Sequence, residues 1–316
     1  MRGAAECGRG RRRGHRRSLL TGRTVRALCV VNPAAGGRHS DPAELPKILD
    51  RLREAGFELD VRETGAEGPT AADLAEAAVK EKFEACLVAG GDGTVQPAAG
   101  RLLGTGVVLG ILPYGSFMNI ANGLGIPLKA EEAVEVIAAR HVVRCDVGEA
   151  GGHEKVFYET AGIGLDAHVF GAARLAERGK KMHALRRLWR AASQGTHRVT
   201  VVVDGREHAH RVFQILVANS PYYLWSFPIV PDARMDDGRL EVAVYARMGR
   251  FTLLRSLVGL WRTGEHTTPP ITYQGSTIEL RSAEPLPVHA DGKVVGALPM
   301  TFTCRPGALA VYAPAG

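Results

Sequence analysis

Apolar positions in the first half of the chain change period several times, and each change predicts an element. Val25 to Val31 is a short β-branched run, ended by Asn32-Pro33 and followed by Gly36-Gly37. A helix then begins, with Asp41 as N-cap, Pro42 in its first turn and Glu44 three residues after the cap. Leu45, Ile48, Leu49 and Leu52 fall on one face of it, and Gly56 closes it. Phe57 to Arg62 predicts a second strand, and Thr70 opens a second helix through Val79. Ala85 to Ala89 is a third strand entering Gly90-Gly91, and a fourth lies within Leu102 to Leu112 and enters Pro113. A helix from about Met118 to Leu124 ends at Gly125. Strands alternating with helices predict an α/β fold with a doubly wound parallel sheet.

Past Arg144 the helical periods thin out. Arg198 to Val203, Arg211 to Val217, Leu240 to Tyr245, Ser276 to Leu280 and Pro287 to Ala290 read as strands separated by Gly, Pro and Asp turns such as Asp204-Gly205. One helix, from about Gly171 to Ala192, interrupts them. The chain therefore divides into an α/β unit over 24–143 and a mostly antiparallel β unit over 144–302, preceded by a tail over 1–23.

Composition leaves that picture intact. Of 316 residues, 45% are hydrophobic and 23% charged, which excludes a largely disordered chain. No apolar run reaches membrane-spanning length, and none of signal-peptide form follows the first basic residues. Cys7, Cys29, Cys86, Cys145 and Cys304 lie far apart without metal-finger or disulfide-framework spacing, so a reducing cytoplasm is expected. The net charge of +7 resides in residues 1–23, which hold eight arginines and one glutamate. The body is neutral, and the tail is expected to be disordered. Its basicity leaves nucleic-acid binding as a reading to test, with no specific site for it.

Three glycine-bearing turns follow predicted strands: Asn32 to Gly37, Gly90 to Thr94, and Pro113 to Asn119. In open α/β sheets, ligands bind beyond the carboxyl ends of the strands. Glycines let backbone amides close on an anion, and helix N-termini add partial positive charge, so a phosphate-rich ligand is expected. Neither a dinucleotide fingerprint nor a P-loop is present: Gln96 stands where the third glycine of the former would be. Asp92 amid these amides makes sense if it holds Mg²⁺ or takes a proton from an attacking hydroxyl. Those are parts that phosphoryl transfer needs.

At this point the residues resemble the diacylglycerol kinase catalytic family, which includes bacterial lipid kinases and is related to sphingosine kinases. The matching stretches are Asn32-Pro33 with Gly36-Gly37, Gly90-Gly91-Asp92-Gly93-Thr94, Gly115-Ser116 with Asn119, and Leu124 to Pro127. Asp146-Val147-Gly148, Thr160 to Ala167, Pro231 to Ala233, Asp236-Asp237-Gly238 and Asp291-Gly292 follow in order. The Gly90–Thr94 loop alone is shared with NAD kinases; the ordered set is specific.

The resemblance implies a nucleotide-binding first domain like that of NAD and diacylglycerol kinases, completed by about 303–316. It implies a β-sandwich lipid-substrate domain, with the active cleft between the two. It implies ATP and Mg²⁺, and transfer of the γ-phosphate to a hydroxyl of diacylglycerol or a related lipid. By the same carry-over, Gly90, Gly91, Asp92, Gly93 and Thr94 cradle phosphates. Asn32, Thr64, Gly115, Ser116 and Asn119 line the nucleotide site. Asp92 and Asp291 are the catalytic candidates, and Asp237 is the metal carboxylate. A lipid kinase meets its substrate at a membrane, here the inner face, and the basic amphipathic stretch 174–190 is a candidate contact. A packed helix with a solvated basic face is the alternative for that stretch, and a homodimer is a further candidate partner state. Tyr222, Tyr223, Leu224, Trp225 and Phe227 are read either as an acyl-chain pocket or as a buried loop.

The chain departs from the family at several places. Lys293 stands where a glutamate base often follows Asp-Gly, Gln96-Pro97 where Asn-Glu is common, Ile120 where Asp is common, and Glu159 where Asn is common. A lysine of ordinary pKa, about 10.4, is a poor base. Two other readings therefore stay open: a catalytically impaired nucleotide- or lipid-binding regulator, and an NAD kinase.

Overall fold

The computed structural model describes residues 23–36, 40–115, 118–153, 155–164, 182–183, 195–223, 227–228, 230, 232–246 and 269–315. The predicted helix 171–192, apart from residues 182–183, lies outside them, as do the tail 1–22, Ser116, Leu224 and Trp225.

The first half is built on β1 (Val25–Val31), β2 (Phe57–Glu63), β3 (Ala85–Gly90) and β4 (Val108–Pro113). They pair in parallel in the order β2-β1-β3-β4. Between and after them come α1 (Leu45–Glu54), α2 (Ala71–Lys80), α3 (Asp92–Leu102), α4 (Asn119–Gly123) and α5 (Ala130–Ala139). Strand side chains alternate between two cores. Leu28, Val30, Cys86, Val88, Leu109 and Ile111 pack with α2 and α3, while Ala27, Cys29, Ala85, Leu87 and Leu112 pack with α1 and α5. Burial on both faces is why β1 and β3 are continuous apolar runs.

Two local expectations meet different outcomes. Asp41 accepts from the Ala43 amide but caps a single 3₁₀ turn, Pro42–Glu44, and α1 proper starts only at Leu45. Thr70 does cap α2, in a reciprocal box with Asp73.

The second half comprises β5 (Val142–Ala150), β6 (Val156–Phe157), β7 (Thr160–Ile163), β8 (His197–Val203), β9 (Arg206–Ala218), β10 (Tyr222–Tyr223) and β11 (Phe227–Pro228). It continues with β12 (Leu240–Ala246), β13 (Ile271–Gly275), β14 (Thr277–Arg281), β15 (Pro287–Ala290), β16 (Lys293–Ala297) and β17 (Met300–Tyr312). Within it the pairing is antiparallel. Ile163, Val199, Val201, Ile215, Val217, Val242, Ile278 and Phe302 form its core.

The division at 143/144 falls inside β5, which runs beside β17 with a register shift between Arg305 and Leu309. β17 belongs to both halves. Met300 and Phe302 sit in the β core, whereas Leu309, Val311 and Tyr312 enter the two α/β cores, and Val311 pairs in parallel with Leu109 of β4.

Candidate active site

The turns after β1, β3 and β4 lie side by side because those strands are neighbours. Gly91 is the N-cap of α3 and Asp92 its first residue, so the helix amides begin at the loop. A Cβ on Gly115 would stand 2.4 Å from the Gly91 Cα and 2.7 Å from the Met118 sulfur, so only glycine allows these two turns to touch. Gly93 faces open space, with nothing within 4 Å of where its Cβ would be.

Asp92 is turned toward the third loop. Its Oδ2 accepts from the Met118 amide at 2.8 Å and its Oδ1 from the Asn119 amide at 2.9 Å. Its carboxyl is raised from the ordinary range by burial, with those two amides pulling the other way. Thr94 is buried, and its hydroxyl accepts from Asn32 Nδ2 at 2.8 Å. Asn32 in turn accepts from the Ala34 amide, so the first and second turns are braced together. Thr64 follows β2, with its amide on the Val31 carbonyl. Asn119 is buried, and its Oδ1 has no hydrogen-bond partner among the described residues.

The second half supplies Asp291. It occupies the two-residue turn between β15 and β16 at φ +43°, followed by Gly292 at +73°, as a tight hairpin requires. Its carboxylate accepts three amides: Tyr158 at 2.8 Å, Glu159 at 3.1 Å and Thr160 at 3.2 Å. Burial raises its carboxyl to about 6 against the pull of those amides, and the negative charge of Asp92 adds to the rise. The two catalytic candidates, one from each half, therefore sense each other electrostatically. Lys293, next in the chain after Gly292, is exposed.

Asp237 behaves differently. It is exposed, and its oxygens accept from the Arg239 amide and from Gln274 Nε2. Asp236 is engaged by Arg234. The acid whose electrostatics respond to Asp237 is Glu241, raised to about 7 by burial and by the charges of Asp232 and Asp237. Among the described residues no cluster of three or more His, Cys, Asp or Glu is arranged to hold a metal ion.

Three residues hold the site in ways the sequence reading did not assign. Asp146 is buried and accepts the Gly238 amide at 2.6 Å and the Gly307 amide at 2.7 Å, fastening the Asp237 turn to β17. Buried Asn219 donates to the carbonyls of Asp146 and Tyr158. Glu159 is buried behind Asp291. Asp146 was visible as part of Asp146-Val147-Gly148, and Glu159 only as a departure from the family pattern; nothing local marks Asn219.

Residues 26–150 match the family described as diacylglycerol kinase catalytic domain, and residues 160–313 match the YegS C-terminal NAD kinase beta sandwich-like domain. The chain belongs to the diacylglycerol kinase family. Its two halves are therefore the two domains of a kinase. A diacylglycerol kinase from Staphylococcus carnosus is 26% identical over 309 residues, covering 92% of this chain and 95% of the relative. One from Staphylococcus aureus is 25% identical, covering 92% of each. The crystal structure of a diacylglycerol kinase from Bacillus anthracis superposes with a TM-score of 0.72 at 25% identity, covering 92% of this chain and 97% of that one. Among the described residues no helix is long and apolar enough to cross a membrane.

Proposed function

We propose that this kinase is ATP-dependent and transfers the γ-phosphate to a hydroxyl of diacylglycerol or a related lipid. The observation that carries the reading is a pair of acids, one from each half. Asp92 begins α3 beside the glycine turns, and Asp291 is a carboxyl raised to about 6, in part by the charge of Asp92. The fit to a nucleotide rests on the open approach at Gly93 and on Asn119 Oδ1, which has no partner among the described residues and offers an acceptor to a ligand donor.

The nucleotide supplies the phosphoryl group, and magnesium accompanies it as part of the substrate. The α3 amides bind phosphate oxygens, favoured by the helix dipole. Ionised Asp291 takes the proton of the acceptor hydroxyl as its oxygen bonds to the γ-phosphorus and the bridging oxygen departs with ADP. Asp92 holds the third turn against α3 through its two amide bonds. The lipid is read to approach from the β-rich half, which supplies the Asp291 turn. Contact of residues 174–190 with a membrane, cytoplasmic location and a homodimer belong to the same proposal.

The test is labelled ATP with Mg²⁺ and a panel of diacylglycerol, sphingoid base and phosphatidylglycerol in mixed micelles. Transfer to one of these lipids supports the reading; ATP binding without transfer to any lipid overturns it. Lys293 motivates the second reading, an impaired regulator. There Lys293→Glu raises the rate at least tenfold, whereas an unchanged rate leaves Asp291 as the base.

A further inference from the structure

Gln96 stands four residues after Asp92, so the two share one face of α3. From that face Gln96 Nε2 donates to Glu159 Oε1 at 3.4 Å, and the Gln96 carbonyl accepts from the Tyr158 hydroxyl at 3.4 Å. Glu159 is only 1% exposed. Its own amide is one of the three that hold Asp291. Its carbonyl accepts from the amides of Asn219 at 2.8 Å and Ser220 at 3.3 Å. One residue thus bonds to the helix that starts at Asp92, to the turn that carries Asp291, and to the end of β9. A buried residue held through its side chain, its amide and its carbonyl is a fixed strut, because withdrawing a partner from a buried polar group leaves that group under-satisfied.

We infer that Gln96 and Glu159 are a positioning pair that sets the separation of the Asp92 and Asp291 side chains for phosphoryl transfer. This rests on the kinase site proposed above. The pair acts through its neighbours: Gln96 fixes Glu159, and the backbone of Glu159 fixes Asp291. Neither residue is needed to bind a substrate. Disturbing the pair therefore lowers turnover and leaves substrate affinity largely in place. An amide facing a carboxylate is reversible in sense. Exchanging the two side chains, so that the carboxylate sits on α3 and the amide faces it, makes the same bond in the opposite direction.

The experiment is a swap cycle on the full chain: Gln96→Glu, Glu159→Gln, and both together. Gln96→Glu sets two carboxylates against each other and is expected to lower kcat about tenfold, with KM for nucleotide and lipid within about threefold of the parent. The double variant is expected to recover kcat to within about threefold of the parent. A double variant as slow as Gln96→Glu, yet melting like the parent, overturns the inference, as does a loss confined to KM. Hydrogen exchange of amides 158–160 provides a readout independent of turnover. Protection is expected to fall in Gln96→Glu and return in the double variant. If the parent transfers no phosphate to any lipid, the kinase reading fails by itself. The exchange arm still decides the pair, because protection unchanged in Gln96→Glu sinks it.

Discussion

Asp291 combines a strained left-handed backbone, three amide donors and burial beside a second acid. Its raised carboxyl fixes the sign of two pH effects. As a base it must be ionised, so the rate is expected to fall as pH drops through about 6. Asp291→Asn is expected to lower kcat at least a hundredfold, and a pH–rate profile of parent and variant checks both outcomes. Stability runs the other way. In the unfolded chain the group returns to about 3.9, so between there and about 6 the folded state binds the proton more readily. Stability contributed by this group is present at low pH and is lost as pH rises through about 6. Melting curves of Asp291→Asn should lack that decline. At this scale the sequence marked the acids but not their partners. Asp92 stood out as an acid among glycines, yet the amides it accepts belong to Met118 and Asn119, and a bond between turns of different strands leaves no local trace. The Thr94 hydroxyl has a partner the sequence does not mark, since the close approach of β1 and β3 brings Asn32 onto it.

Among the elements, those with period and punctuation together were the legible ones. β1, β3, α1 and α2 announced themselves by burial pattern and by turn residues at their ends. α5 did not, because Lys129 at its N-cap makes no side-chain capping bond, although Ala130, Ala133, Val134 and Ile137 keep a helical stripe. α3 was masked by its composition, with Gly93 and Gly100 along it and Pro97 inside it. Two Asp-Gly turns show what local pattern cannot decide. Asp204-Gly205 and Asp291-Gly292 have the same signs of φ and the same two-residue span. Asp204 binds Ser276 and Thr277 at the surface, while Asp291 binds the amides of 158–160 beside Asp92. The packing of the third turn on α3 gives a prediction of its own. Gly115→Ala drives a methyl group into the Gly91 backbone, which cannot yield as a flexible side chain would. Nucleotide affinity by calorimetry is expected to weaken at least tenfold, with a melting point only a few degrees lower.

For the molecule as a whole, the α/β class of the first half and the antiparallel character of the second were readable because periods of about four and of two are distinct. The boundary was not. Helical period disappears near Arg144, but β5 runs on through that point, and its register shift against β17 falls only at Asp146. Because β17 serves both cores, Phe302→Ala and Val311→Ala strike different halves through one strand. Each is expected to cost about 2–5 kcal/mol, and each to lower a single shared denaturation midpoint rather than split the transition in two. Chemical denaturation followed separately by tryptophan fluorescence and far-UV dichroism checks this.

The same strand sets an order of events when the protein is made. Residues 300–312 leave the ribosome after the sixteen described strands that precede them, and until they do neither hydrophobic interior has its closing wall. A nascent chain of this kinase therefore emerges with both halves open along a common seam, and residues 300–312 seal them together.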